Sequence, residues 1–153
     1  MATRGFEFAY MLDGSNATPV IRDFILNTAS AYKNGDLVVA GSDGDVDKVT
    51  VNTTEVTGVI QEDVAATAIT AGTTKAKVAI ITRNQVWRCS ADDTSITTII
   101  PGYVKTLDTV DANTISHDDI TGGSLCAIGT ATTDDEGKPL IYVVFLDTTF
   151  GNA

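Results

Sequence analysis

Apolar and polar positions alternate singly along most of this chain, and Thr, Val and Ile dominate the alternating stretches. A repeat of two is that of a pleated strand, and β-branched side chains suit it because they lose rotamer freedom in a helix. The pattern predicts strands at Val20–Leu26, Leu37–Ala40, Val46–Val51, Glu55–Gln61, Lys75–Thr82, Gln85–Cys89, Ser95–Ile100, Tyr103–Leu107, Ser124–Thr130 and Leu140–Leu146. Within Lys75–Thr82, Ala76, Val78 and Ile80 face one way, and Lys77, Ala79 and Ile81 the other. Glu62–Gly72 reads as a loop, although Val64 to Ala68 could form a helical turn. Asp108–Gly123 reads as polar and turn-rich. Met1–Pro19 is the least regular stretch, yet Phe6, Phe8 and Tyr10 share one face of a would-be strand, with Glu7 and Ala9 on the other.

Turn chemistry separates these segments. Asn34-Gly35 supplies the positive φ angles of a tight turn. The run from Gly41 to Asp45, and Arg83-Asn84, mark further turns. Ser124–Thr130 and Leu140–Leu146 read as a closing hairpin across Ala131–Pro139. The expected fold is all-β: a small β-sandwich or β-barrel-like domain of short antiparallel strands, with little helix. Residues 1–19 are assigned to an N-terminal arm and 20–153 to a single β-domain. The last strand is apolar on both faces, with Ile141, Val143 and Phe145 on one and Leu140, Tyr142, Val144 and Leu146 on the other. Both faces are therefore expected to be covered, either by the chain's own fold or by another subunit.

The chain has 153 residues, 10 basic and 20 acidic, for a net charge of −10. Such a charge repels phosphate, so neither nucleic acid nor an anionic membrane surface is an expected partner. No run of about 18 apolar residues occurs, so no membrane-spanning helix is expected. Glu7 interrupts the first apolar stretch and no cleavage-like site follows, so a secretory signal is not expected either. Cys89 and Cys126 sit in apolar segments and read as free thiols packed as small hydrophobes, with a disulfide open only if the fold brings them together.

The chemical inventory is sparse. His117, the one histidine, lies in a polar loop beside Asp118 and Asp119, with no Gly-x-Ser-x-Gly elbow elsewhere. Asp43, Asp45 and Asp47 have the alternate spacing of a calcium loop, but Lys48 follows and Thr54 stands where the bidentate Glu belongs. Asp92-Asp93 and the run from Asp134 to Glu136 read as solvated loop tips. Trp87 beside Arg88 could anchor an interface or fill the core. No catalytic, cofactor or metal site is assigned, and an enzyme is not expected.

One stretch carries a family pattern. It runs Asn34-Gly-Asp-Leu-Val-Val-Ala40, then Val56-Thr-Gly-Val-Ile-Gln-Glu-Asp-Val-Ala-Ala66, Ala71-Gly72, Lys77-Val-Ala-Ile-Ile81 and Gln85-Val-Trp87. This resembles the head-decoration, or capsid cement, proteins of tailed bacteriophages across roughly Lys33–Arg88, with a longer corner before Gly72. The resemblance implies a non-catalytic structural protein. It would bind the outside of an expanded head, often as a homotrimer, and clamp neighbouring subunits of the major capsid protein. It would assemble in the host cytoplasm and reside on the virion surface. It also implies an arm ordering on the shell, with Phe6, Phe8 and Tyr10 as contact residues. The second apolar face of the last strand, Leu140, Tyr142, Val144 and Leu146, and Trp87 are the candidate subunit-interface residues. The alternative reading is another virion surface β-module, such as a tail, fibre or adhesin-like glycan-binding domain.

Overall fold

Among the described residues the alternating segments form strands, and ten of the twelve strands sort into two antiparallel sheets. The computed structural model describes residues 5–49, 55–90, 106–107, 109–111, 114–115, 125–133 and 139–150. In chain order the strands are β1 (Glu7–Met11), β2 (Ile21–Ile25), β3 (Leu37–Ala40), β4 (Val46–Lys48), β5 (Gly58–Ile60), β6 (Lys75–Ile80) and β7 (Gln85–Ser90). Then come β8 (Thr106–Leu107), β9 (Thr109–Asp111), β10 (Thr114–Ile115), β11 (Leu125–Thr133) and β12 (Pro139–Phe145). The first sheet has the order β1-β7-β12-β11-β8 and the second β2-β6-β5-β3-β4.

Period two then decides the packing. In β6, Ala79 and, just beyond it, Ile81 face the first sheet, while Ala76 and Val78 face away from it. The inter-sheet core joins Leu37, Val59, Ala79 and Ile81 to Phe6, Trp87, Cys89, Leu125, Ala127, Ile141, Val143 and Phe145. Phe6 meets Phe145 at 5.6 Å between ring centroids, and Phe8 meets Trp87 edge-on at 5.7 Å. Such pairs add about 0.5–1.5 kcal/mol each to their burial.

A second core fills the other face of the second sheet, with Leu26, Tyr32, Val38, Val46, Ile60, Ile69, Ala76 and Val78. The sheet curls around it until its edges meet, in a parallel bridge between Leu26 and Val46. Asn27 N donates to Val46 O there, at 3.0 Å. The domain is thus a sandwich in which one layer is curled toward a barrel. Closing the sheet on itself leaves less edge unpaired.

Arg83-Asn84 is a turn, as expected, and it carries the chain from β6 in one sheet to β7 in the other. Two sequence expectations change. The polar stretch 108–123 contains a small hairpin, β9–β10, and β10 lies against β7. Two- and three-residue strands are too short to show a period. The loop 62–72 contains a 3-10 turn at Ala66–Ala68. The strand expected at Ser95–Ile100 lies outside the described residues.

Candidate interaction surface

The expected arm begins with a close backbone contact. A Cβ on Gly5 would fall 2.7 Å from Gly35 O, so a glycine is needed for the two segments to touch. Gly35 itself has φ +100°, the left-handed conformation expected of the Asn34-Gly35 turn. Phe6 N donates to Gly35 O at 2.9 Å, and the chain continues into β1, paired along β7. The segment read as an arm therefore supplies an edge strand of the first sheet. Phe6 is buried and Phe8 packs on the inter-sheet core, so neither ring is presented to a shell in this conformation.

Tyr10 differs. The register runs Phe8 opposite Trp87 and Tyr10 opposite Val86, leaving Ala9 as an extra residue. This bulge shifts the alternation by one and carries Tyr10 to the outward face. Its ring meets Tyr142 edge-on at 5.9 Å, and it is 47% exposed. Sequence alternation alone placed Tyr10 with Phe6 and Phe8. A bulge adds one residue without a composition signal, so the shift was not readable.

The expected subunit-interface set also divides. Trp87 is 1% exposed and faces the inter-sheet core, with its indole N–H donating to Gln85 Oε1 at 3.0 Å. It is a core residue, the plainer of its two readings. Leu140 is on the outward face but is 2% exposed in the single chain, so its own fold covers it. Tyr142 and Val144 are half-buried and Leu146 is 38% exposed.

The outward face of the first sheet thus joins Tyr10, Tyr142, Val144 and Leu146 to Cys126, which lies opposite Val144 in the register. Glu7 and Arg88 face the same way, opposite each other. Arg88 Nη2 lies 2.8 Å from Glu7 Oε2, and Arg88 Nε donates to the same oxygen at 3.0 Å. Arg88 stands opposite Tyr142 on its other side, so ion pair and rings form one continuous patch. Cys89 faces the core from β7 and Cys126 faces outward from β11, with β12 between them. Neither cysteine is in a disulfide.

The turn and acidic-loop residues of the resembling stretch lie elsewhere and act on the backbone. Asp36 Oδ2 accepts from Lys33 N at 2.9 Å, and Asp63 Oδ1 accepts from Asn34 N at 2.8 Å. Tyr32 and Val64 exchange both backbone hydrogen bonds at 2.9 Å. The Gly-Asp turn and the acidic loop are thus tied together. The Asp43–Asp47 run is also engaged locally: Asp43 Oδ1 accepts from Asp45 N at 3.0 Å and Asp47 Oδ2 from Asn27 Nδ2 at 2.8 Å. Near the start of the chain, Ser15 N donates to Asp13 Oδ1 at 2.9 Å, which holds the Asp13 carboxyl below its ordinary value. Among the described residues, no three His, Cys, Asp or Glu side chains are grouped to hold a metal ion. His117, Asp92, Asp93, Asp118, Asp119 and residues 134–136 lie outside the described residues. The chain matches no protein-family model, and no curated protein is significantly similar to it.

Proposed function

We propose that this chain is a non-catalytic decoration protein of a tailed-bacteriophage head. It binds the outer surface of the expanded shell and ties neighbouring major capsid subunits together, as a homotrimer. The observation that carries the reading is the tie between the two signature segments. Asn34-Gly35-Asp36, which opens the first of these segments, and Glu62-Asp63-Val64, within the second, meet through Asn34 N and Asp63 Oδ1 and through the Tyr32–Val64 pair. The resembling residues therefore act as one unit that fixes backbone geometry, as expected of a shape-conserving structural protein. The net charge of −10 suits a place outside the shell, away from packaged DNA.

The test is co-sedimentation with heads of the phage or prophage whose genome encodes the chain, before and after expansion. The expected result is saturable binding to expanded heads, with a higher temperature of head disruption. Failure to sediment with expanded heads overturns the proposal. Binding to immobilised glycans in its place would favour a tail, fibre or adhesin-like module.

A further inference from the structure

We propose that the outward face of the first sheet, centred on Tyr10, Tyr142, Val144 and Leu146, is the contact surface for a second copy of this chain. This deepens the homo-oligomer of the proposed function and rests on it, whereas binding to a shell is a separate question.

The argument starts from charge. The five strands of the first sheet contain only two charged residues, Glu7 and Arg88, in a chain with 10 basic and 20 acidic ones. Those two already neutralise each other on the outward face, at 2.8 Å. The strands of the second sheet carry Arg22, Asp23, Asp47, Lys48, Lys75 and Lys77. Copies of a chain with net charge −10 repel one another. The repulsion is least where the approaching faces bring no net charge. A basic partner would be drawn to the acidic remainder of the surface and least to this face. A second copy, equally acidic elsewhere, is therefore met with less repulsion at this face than at the charged second sheet.

Composition and geometry agree. Contact cores are poor in charge and rich in Tyr and Arg. Here Tyr10 packs on Tyr142, Arg88 stands opposite Tyr142, and Val144 lies on the same face. Tyr10 is 47% and Leu146 38% exposed in the single chain. Because Glu7 and Arg88 are bonded beforehand, covering them buries no unpaired charge. Edge-to-edge pairing of copies is blocked in two places. β1 carries the bulge at Ala9, and β2 carries Arg22 and Asp23 in mid-strand. Strand addition is thus opposed at β1 and β2, which favours contact through the face.

The experiment is light scattering on a sizing column for the wild type and for Tyr10→Glu, Leu146→Lys and Ile21→Glu. Ile21 is 49% exposed on the second sheet and serves as the control. Far-UV circular dichroism checks that each variant folds. The expected masses are a multiple of 16.0 kDa for the wild type and Ile21→Glu, and 16.0 kDa for the other two. Association should tighten as salt rises from about 0.01 M to about 1 M and the Debye length falls from about 30 to about 3 Å. A wild type at the single-chain mass throughout, or Tyr10→Glu and Leu146→Lys variants that keep the wild-type mass, overturns the inference. So does association that salt weakens.

If a variant misfolds, thiol labelling of the wild type decides. Cys126 lies on the patch while Cys89 is buried, so Cys126 should label faster on dilution. A rate independent of protein concentration overturns the inference. A wild type that assembles through this face but ignores expanded heads leaves the inference standing and removes the decoration reading.

Discussion

Replacing Gln85 by Leu removes an amide that serves three partners at the corner between β6 and β7. Its Oε1 accepts from Trp87 Nε1 and from Thr82 N, both at 3.0 Å, and its Nε2 donates to Ile80 O at 3.2 Å. Leucine nearly keeps the shape, so the loss is polar. Gln85 is 4% and Trp87 1% exposed, and a buried group left without its partner costs about 1–3 kcal/mol. Thr82 and Ile80 are only partly buried, so water softens their loss. We expect Gln85→Leu to lose about 2–4 kcal/mol, most of it from the Trp87 indole. That lowers Tm by about 5–15 °C for a chain of this size.

Gln85→Glu sharpens the test. A protonated Glu can still accept from Trp87 and donate to Ile80 O. An ionised one cannot donate, and its charge is buried. Its folded pKa is therefore raised above the unfolded value of about 4.3. The penalty is absent below that unfolded value and grows as pH rises toward the folded one, by about 1.4 kcal/mol per pH unit. Urea melts of wild type, Gln85→Leu and Gln85→Glu near pH 4 and pH 7 measure both effects. A Gln85→Leu variant as stable as wild type, or a Gln85→Glu penalty equal at the two pH values, refutes the reasoning.

Two further outcomes follow from close contacts elsewhere. A Cβ at Gly58 would collide with the Ala79 carbonyl and lie 2.5 Å from Val78 Cγ1, between adjacent strands. Gly58→Ala should lose about 3 kcal/mol, the upper end of overpacking, and an unchanged denaturation midpoint would contradict the packing. Thr57 is buried in a relay: Ala40 N donates to Thr57 Oγ1 at 2.8 Å, Thr57 meets Thr149 Oγ1 at 2.7 Å, and Thr149 donates to Glu55 Oε1 at 2.8 Å. Thr57→Val should cost about 1–3 kcal/mol and speed hydrogen exchange at Thr149 N, which donates to Val56 O; an unchanged rate counts against the relay.

Strand positions were legible because each long strand shows its period. β6 is the clear case. Ala76 and Val78 enter one core, and Ala79 and the adjoining Ile81 the other, as the alternation required. Strand partners were less legible. Arg83-Asn84 has the composition of a hairpin turn, but whether a strand folds back or crosses to another sheet depends on what its apolar face meets. The curl of the second sheet was not legible either, since the Leu26–Val46 bridge joins residues at opposite edges of the sheet.

The interaction face shows both limits at once. The strand from Pro139 to Phe145 is apolar on both sides, and that alone signals two covers. Its inner residues meet the second sheet, as period two predicts. On the outer side, Leu140 is buried by its own chain, while Tyr142 and Val144 stay half-open beside an exposed Leu146. One strand thus needs a cover of its own at one end and leaves the other end accessible, a division that hydropathy cannot express. Tyr10 then joins the accessible end only because Ala9 is extra. Without that bulge Tyr10 would turn inward with Phe8, and the patch would lose its most exposed ring. The bulge both blocks strand addition at β1 and presents Tyr10 beside Tyr142. In the proposed self-association, a single inserted residue thus favours the sheet's face over its edge.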